Sequence, residues 1–375
     1  MKRTLILLAI VLQAALACQD PPPVDPKMKE AIEFGTSAAA EIEKQFKIVS
    51  DPAMNERVSR IGQALAEIAR KTPVEAHWGE ERGSQFEYKF KILDEKDVNA
   101  FSIPGGFIYV HKSLLDFVQS DHELAGVLAH EIAHAAHYHV MKLIAEDNKV
   151  NRQVMLPVLI GALIGKLPTE DTINLYQGAA LYRVAKINSF GQEAEIDADM
   201  TAIEYLRRSD YNPVGLLTFL ERLQAEERKR PQLDWGVFRT HPPTRDRVKS
   251  VLGHLAKHNL PVKRREVSPG LRIIAKELAP DRFEVRLETI SIFTTAEKDK
   301  AEKIALRLNA ALDDGLELYE IQMGTDGRSV FMRGEPLIEV SEADAKAAGD
   351  AAENLARAAR EAIRRLLWAD AVRRS

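Results

Sequence analysis

The sequence has a single cysteine, no excess of basic residues and few long apolar runs, and each of these shortages excludes a class of structure or function. Cys18 is the only cysteine among 375 residues, so no intramolecular disulfide can form. The 52 basic and 56 acidic residues nearly balance, which leaves no basic footprint for nucleic acid. After the first residues, no apolar run reaches the roughly 20 residues that a membrane-spanning helix needs. The longest such run, residues 154–165, ends at Lys166 and could cover an active site or lie in a core. These shortages argue against a nucleic-acid-binding protein and against a membrane-embedded enzyme.

Residues 130–134 read His-Glu-Ile-Ala-His, inside an apolar-periodic stretch that runs from residue 121 to about residue 146. Positions i and i+4 of an α-helix differ by about 40° around its axis, so His130 and His134 can share one metal ion. Glu131 is about 100° round from His130, where its carboxylate can take a proton from a metal-bound water. The string is a zinc-hydrolase signature. The alternative is a pair of surface histidines on an amphipathic helix.

A hydrolytic zinc site takes a third protein ligand, and a helix-compatible acidic run at residues 191–206 offers one. The run carries Glu193, Glu195, Asp197 and Asp199, which would repel one another without a cation nearby. Glu195 and Asp199 stand at i and i+4 on one face. Glu195 can therefore bind zinc while Asp199 accepts a hydrogen bond from the far nitrogen of a ligand histidine. The competing interpretation is an ordinary solvated acidic face.

With these motifs, the chain resembles the zinc metallopeptidase family of HtpX and the CAAX prenyl endopeptidases, and it is most similar to the periplasmic, lipoprotein-like members. The family's gluzincin pattern, HExxH followed by ExxxD, is present here as His130 to His134 with Glu195 and Asp199. The resemblance implies one Zn²⁺ per chain, bound by His130, His134 and Glu195, and it makes Glu193 the weaker candidate. Residues 50–66, 99–115 and 239–248 also look like the family.

A turn and a β-favouring run precede the metal helix. Extended peptides bind an open sheet edge through their backbone, with little regard to side-chain identity. We therefore predict a substrate-binding edge strand in this segment, and the alternative is a buried structural hairpin. The residues of the predicted edge are Asn99, Gly105, Gly106, Phe107, Ile108 and Tyr109.

His241 precedes two prolines, which hold the local backbone extended and fix the direction of the side chain. It could stabilise the oxyanion of a tetrahedral intermediate or occupy the open zinc position at rest. We predict a catalytic role for His241 beside Glu131, against a structural role in a rigid loop.

Four other histidines carry less weight. His137 lies on the metal face one turn beyond His134, so we predict that it contacts the metal ligands, whereas His139 points away. His254 and His258 repeat the i, i+4 spacing without an acidic neighbour in the sequence, so solvent exposure is the default expectation.

The amino terminus has the form of a signal peptide at residues 1–17, with a basic start and an apolar core too short to span a membrane. Cys18 follows Ala-Leu-Ala and matches the lipobox pattern, so we expect it to be lipidated. The alternative is ordinary cleavage that leaves a free thiol. Residues 18–28 would form a proline-rich tether. The resulting expectation is a bacterial periplasmic protein, anchored to the outer membrane through Cys18 alone.

The predicted fold class is α+β. A mainly α-helical, zincin-type metallopeptidase domain with a small sheet edge spans residues 29–255, and a small α+β accessory domain spans residues 262–375. In the accessory domain we predict a helix at 297–312, a hairpin turn at 325–327 and one long helix from 341 to 374. Its predicted strands are 271–278, 283–293, 316–323 and 329–332. An envelope protein partner is the expected ligand of this domain.

The combined prediction is a zinc metalloendopeptidase that hydrolyses unfolded or misassembled envelope proteins, with Glu131 as the base. The alternative is a chaperone-like assembly factor with a closed or vestigial zinc site. A protein that only binds would have no chemical need for Glu131, which favours the enzyme.

Overall fold

The structure of the chain is a computed structural model, and it describes residues 25–81, 85–146, 191–229, 241 and 245–374. The predicted signal peptide, Cys18, most of the tether and residues 154–165 lie outside the described residues. Within the described residues, none of the helices combines the length and apolar character that crossing a membrane requires.

The first two helices of the described residues are α1 (Pro26–Gln45) and α2 (Pro52–Lys71). Both begin with proline, whose fixed φ and missing N–H suit the first turn. An aspartate caps each one: Asp25 accepts a hydrogen bond from the Lys27 amide, and Asp51 accepts one from the Met54 amide. The caps and prolines explain why the helices start at these positions.

The first sheet contains β1 (Lys89–Leu93), β2 (Ala100–Ile103) and β3 (Phe107–His111) in the order β1-β3-β2. Strand β3 pairs in parallel with β1 and antiparallel with β2. Gly105 and Gly106 both have φ of +85°, which allows the tight turn between β2 and β3. A hairpin of β2 and β3, which was the alternative to an open edge, is therefore present, and β3 is the central strand of the sheet.

The prediction that Phe107, Ile108 and Tyr109 form an open edge is wrong, because both sides of their strand are paired. Every residue of this strand is buried, as expected for an apolar run in a sheet interior. Asn99 adjoins the outer strand, and its carbonyl accepts a hydrogen bond from the His111 amide. In the described part of the chain, the outer strand on the metal side is β2, which precedes the turn.

Helix α4 (Asp121–Ala136), which carries the zinc-hydrolase signature, is buried on every side from its third residue to its last. Against it pack α2, α6 (Gln192–Leu206) and α7 (Val214–Lys229). The stretch 121–146, predicted as one helix, forms two helices. Tyr138 takes a φ of +55°, so the chain changes direction there and a second helix, α5 (His139–Glu146), begins. The other helices of this region are α3 (Lys112–Phe117), α8 (Arg245–Lys257) and α9 (Arg264–Val267).

The carboxy-terminal region has two three-stranded antiparallel sheets, in the orders β4-β5-β6 and β7-β8-β9, and its own apolar core. The fold class predicted from the sequence, α+β with a helical first domain, is confirmed. The elements are β4 (Ile274–Ala279), β5 (Arg282–Leu287), β6 (Ile290–Thr295), α10 (Lys298–Asp313), β7 (Ile321–Met323), β8 (Ser329–Met332), β9 (Glu335–Glu339), α11 (Glu342–Ala348) and α12 (Ala352–Arg374).

Four details of that region differ from the predictions. The run 316–323 is a strand only at Ile321–Met323, because residues 318–320 form a short 3-10 helix. The run 283–293 is two strands, because Glu288 takes a φ of +47° in the turn between them. Strand β9 was not predicted, since it contains Pro336, which usually weakens the case for a strand. The helix predicted from 341 to 374 is broken at Gly349, whose φ of +74° ends α11.

Candidate metal centre

Two helices bring the predicted metal ligands together in the core. His130 and His134 on α4 point their Nε2 atoms at each other across 2.9 Å. From α6, the Glu195 carboxylate reaches both rings: Oε2 lies 3.4 Å from His130 Nε2, and Oε1 lies 3.3 Å from His134 Nε2. All three side chains are buried. The predicted ligand set is thus one compact group of donor atoms.

The spacing of these donors fits zinc. With Zn–N and Zn–O bonds of about 2.0–2.1 Å, two ligands of a tetrahedral ion lie about 3.3 Å apart. The three observed separations range from 2.9 to 3.4 Å. His241 adds a fourth donor, because its Nδ1 lies 3.3 Å from His130 Nε2 and 2.9 Å from Glu195 Oε1. The four residues match the donor chemistry and the geometry of a zinc ion.

Asp199 has the position predicted for it. Its Oδ1 lies 2.9 Å from Nδ1 of His130, on the side of the ring away from the other ligands. Burial favours the neutral acid, but Arg247 and His130 outweigh it and lower the pKa of Asp199. An ionised Asp199 accepts the Nδ1 proton, so the lone pair of His130 Nε2 is directed at the metal position. Burial opposes protonation of His130, yet Asp199 and Glu195 raise its pKa to about 9, so metal binding releases a proton.

His139 fixes the tautomer of His134, as Asp199 fixes that of His130. The sequence had predicted that His139 points away from the metal ligands. Nε2 of His139 lies 2.7 Å from the Trp78 carbonyl and 3.0 Å from Asp197 Oδ2, so this nitrogen must carry a proton. Burial lowers the pKa of His139 and keeps the ring neutral. Its bare Nδ1, 2.8 Å from His134 Nδ1, therefore accepts the proton of that nitrogen. His134 is left with its Nε2 lone pair facing the metal position.

The structure places His137 apart from the ligands, and this corrects the prediction that it contacts them. Its Nδ1 lies 2.5 Å from Asp197 Oδ2 and its Nε2 lies 3.1 Å from the Val74 carbonyl. The reason is the chain reversal at Tyr138: His137 ends α4 with a non-helical backbone, and the next turn brings His139 back towards His134. Helical spacing alone could not show that His139, and not His137, contacts a metal ligand.

Arg247 is the functional residue that sequence reasoning missed. Its buried guanidinium forms two parallel bonds with Asp199, of 2.7 and 2.8 Å. Its third nitrogen lies 2.8 Å from Glu195 Oε2 and 3.2 Å from the His241 carbonyl. Burial works against an ionised Glu195, but His241, Arg247 and His134 lower its pKa well below the usual range. The only signal in the sequence was the position of Arg247 in the family-like segment 239–248.

Glu131 lies beside the donor cluster with its carboxylate buried. Its Oε1 is 3.6 Å from His241 Nε2, and Ser102 on β2 hydrogen-bonds the carboxylate. Its Oε2 has no hydrogen-bond partner among the described residues. Burial raises the pKa of Glu131, although His241 and His130 oppose that shift. A buried carboxylate with a free oxygen and a raised pKa is suited to accept a proton from water.

A narrow, mostly apolar cavity opens beside Glu131. It runs between the outer strand β2, at Ala100, and the start of α7. Its apolar wall is formed by Val127, Leu216, Phe219, Leu220 and Leu223. The donor cluster is therefore approached from a side that has a strand edge on one wall and apolar side chains on the other.

Comparison with known proteins identifies the family to which the chain belongs. The model of peptidase family M48 matches residues 52–254, the part of the chain that builds the donor cluster. The chain belongs to peptidase family M48. This confirms the resemblance found in the sequence. Members of the family use zinc, and the buried cluster of His130, His134, Glu195 and His241 offers this chain's donors for it.

Three relatives from Escherichia coli (strain K12) show the extent of the similarity. The metalloprotease LoiP is 31% identical over 211 residues, which cover 55% of this chain and 79% of the relative. The metalloprotease YcaL is 28% identical over 281 residues, or 68% of this chain and 99% of the relative. The beta-barrel assembly-enhancing protease is 24% identical over 223 residues, or 58% of this chain. That match spans only 42% of the relative's own length.

Proposed function

We propose that the protein is a zinc-dependent metalloendopeptidase that hydrolyses peptide bonds in unfolded or misassembled proteins of the cell envelope. The observation that carries the proposal is Glu131, a buried carboxylate with one unpartnered oxygen among the described residues, beside a donor set that fits zinc. A site that only bound metal for stability would have no chemical need for such a base. The names of the relatives, all proteases, support the same activity.

A zinc ion held by His130, His134 and Glu195 would supply Lewis-acid chemistry, that is, activation of a water molecule and of the scissile carbonyl. Glu131 takes the proton of the attacking water and then delivers it to the leaving amine. Asp199 and His139 hold His130 and His134 in the tautomers that keep a lone pair towards the metal. The positive charge of Arg247 keeps Glu195 anionic in a buried position.

The substrate part of the proposal rests on β2. This strand has a partner on one side only in the described part of the chain, and Ser102 connects it to Glu131. An extended polypeptide that pairs with the open side would lie across the donor cluster. Backbone pairing requires an unfolded segment more than a particular sequence, and the small cavity beside Glu131 gives the site a mostly apolar wall.

The second candidate, a chaperone-like assembly factor with a closed site, has one observation in its favour. His241 Nδ1 stands where the fourth zinc ligand would be, which is the position that a catalytic water needs. As an endopeptidase, the protein must move His241 aside when substrate binds. The two candidates differ in what wild type does: under the alternative it would not cleave an unfolded protein, whereas under the proposal it does.

The decisive experiment compares wild type with Glu131→Gln in zinc content and in cleavage of an unfolded protein such as casein. We expect both proteins to hold the same amount of zinc, and the variant to lose about 10²–10⁴ in rate, since a general base supplies that much. Glu193→Gln is the matched control, because Glu193 is an exposed glutamate at the start of α6. Zinc in both proteins with equal cleavage would contradict the role of Glu131.

We also propose that the protein is exported through the signal peptide at residues 1–17 and anchored to the outer membrane through a lipid on Cys18. Support comes from the sequence pattern and from the name of a relative, a beta-barrel assembly-enhancing protease. The carboxy-terminal region would then bind an envelope protein. Labelling cells with a radioactive fatty acid tests the anchor: wild type should take up label, and Cys18→Ser should not.

A further inference from the structure

A second cluster of potential metal ligands lies at the far end of α6, away from the catalytic site. It consists of Glu204 on α6, His254 on α8 and His258 just after α8. One ligand atom from each residue lies within 4.8 Å of the others. On the basis of the sequence, the two histidines were expected to face solvent without an acidic partner. The fold supplies that partner from a residue 50 positions away from His254.

The two imidazoles converge on one oxygen of Glu204. Oε1 lies 2.7 Å from His258 Nε2 and 3.3 Å from His254 Nε2. The other oxygen, Oε2, is bound by Arg207 and Arg208 at 2.7 and 2.5 Å. The arginines therefore fix the carboxylate and leave Oε1 as the single oxygen that faces the rings.

Hydrogen bonding accounts for one of the two imidazoles only, because Nε2 of His254 is hydrogen-bonded to Glu204 Oε1 at 3.3 Å. Nε2 of His258 is buried and makes no hydrogen bond within the described residues, although it lies 2.7 Å from Glu204 Oε1. Its ring stands 4.8 Å from that of His254, at 65°. Two imidazole nitrogens that lie close to one carboxylate oxygen, one of them without hydrogen-bond geometry, form an arrangement that a shared metal ion explains.

We propose that Glu204, His254 and His258 form a second, non-catalytic site for a zinc-like divalent transition-metal ion. Two imidazoles and one carboxylate are ligands that zinc and its neighbours in the first transition row accept, and water would complete the coordination. The chain would then hold two metal ions, where the sequence predicted one.

The electrostatics of Glu204 and His254 suits metal binding at neutral pH. Burial opposes ionisation of Glu204, but Arg208 and Arg207 lower its pKa to about 2, so the carboxylate is anionic. Burial lowers the pKa of His254, and the neighbouring His258 and Lys257 act in the same direction against Glu204. A neutral imidazole has the lone pair that a metal requires, with no proton to displace.

An ion bound by this cluster would connect helix α6 to helix α8. Glu204 is nine residues beyond Glu195 on α6, or about 13–14 Å along the axis at 1.5 Å per residue. Helix α8 carries His254 and also Arg247, whose guanidinium binds Asp199 and Glu195. An ion at the far end would fasten α6 to α8 and so hold Arg247 against the carboxylates of the catalytic centre.

Metal stoichiometry of the full-length protein tests the proposal. The protein is stripped with a chelator and titrated with Zn²⁺ by calorimetry, and the metal retained after dialysis is counted. We expect two equivalents for wild type, and one for His254→Gln and for His258→Gln. His134→Gln, in which the catalytic set is broken, should lose the other equivalent. His77→Gln, an exposed histidine outside both clusters, is the matched control and should keep two.

Two further readouts make the result independent of folding and of catalysis. The second equivalent should raise the melting temperature of wild type but not of His258→Gln, while circular dichroism shows both proteins folded. The second equivalent of Co²⁺ should add the visible absorption of a four-coordinate ion in wild type, and it should add none in His258→Gln, where only the catalytic set binds the ion. A single equivalent in wild type, or two in both His254→Gln and His258→Gln, would overturn the proposal. Glu131→Gln should keep two equivalents, so loss of cleavage and loss of the second site remain distinguishable.

Discussion

The two regions of the molecule bury charge in different ways: the first region does so in one connected network, and the carboxy-terminal region in separate ion pairs such as Asp344 with Lys300. Around the metal centre, the core contains a connected group of buried charged and polar side chains, among them His130, Glu131, Glu195, Asp199 and Arg247. The carboxy-terminal core is a continuous apolar cluster. Buried charges cost free energy unless each is paired, so they rarely improve stability over apolar packing. The comparison teaches that the first region keeps its buried charges for chemistry, while the second is built for stability.

The largest effect that separates the two regions is expected for Arg247→Met. The change leaves Glu195 and Asp199 buried without their cation, which costs about 3–5 kcal/mol when one member of a buried ion pair is removed. We expect a lower free energy of unfolding and a weakened hold on zinc. Urea unfolding and zinc titration of the same samples measure both. Arg60→Met removes an arginine from an exposed ion pair with Asp121 and is the control.

The second-largest loss of stability is expected for Leu308→Ala, which tests the carboxy-terminal region in the same way. Leu308 is fully buried in the carboxy-terminal apolar core, and a Leu→Ala cavity costs about 2–5 kcal/mol. We expect the unfolding free energy of this region to fall while zinc content and cleavage per folded molecule stay unchanged. Loss of zinc from a folded Leu308→Ala protein would show that the two regions are not separable in this way.

A smaller effect is expected for His139→Phe, which sharpens the account of the metal centre. Phenylalanine fills the same space but cannot accept the Nδ1 proton of His134, so the orientation and tautomer of that ligand are no longer fixed. Losing such a partner costs about 10–100-fold in metal affinity. Competition with a chelator of known affinity measures it. The variant His139→Gln keeps an acceptor, and it should recover part of the loss; equal affinities for all three proteins would refute the role.

The smallest effect is a pH dependence in the carboxy-terminal region. Asp344 accepts bonds from Thr295, Lys300 and the Ser341 amide, and although burial opposes them they lower its pKa to about 2. A carboxyl whose pKa is depressed by folding adds stability above its unfolded pKa of about 3.9, and loses it as the pH falls towards 2. Between pH 5 and pH 2, Asp344→Asn should therefore lose less stability than wild type. Parallel acid unfolding curves would contradict this.

The comparison also shows what a sequence can reveal. His130, Glu131 and His134 were predictable because helical spacing is local, and Glu195 because an acidic run needs a cation. Other features depend on contacts between distant segments. The order β1-β3-β2 places the outer strand before the turn, and the reversal at Tyr138 brings His139 to His134.

Long-range pairing also explains the two residues that the sequence did not single out. Arg247 reaches Asp199 across 48 positions, and Glu204 reaches His254 across 50. Neither contact leaves a periodic signal, because each partner lies on a different helix. The same holds in the carboxy-terminal region for β9, which pairs with β8 despite its proline.

The central claim is that Glu195, with His130 and His134, holds the zinc that hydrolysis requires. The most direct measurement is the zinc content and casein cleavage of Glu195→Gln beside Glu193→Gln, which changes an exposed glutamate two positions away. The account predicts that Glu195→Gln loses one equivalent of zinc and all measurable cleavage, and that Glu193→Gln keeps both. Full zinc content and cleavage in Glu195→Gln would contradict it.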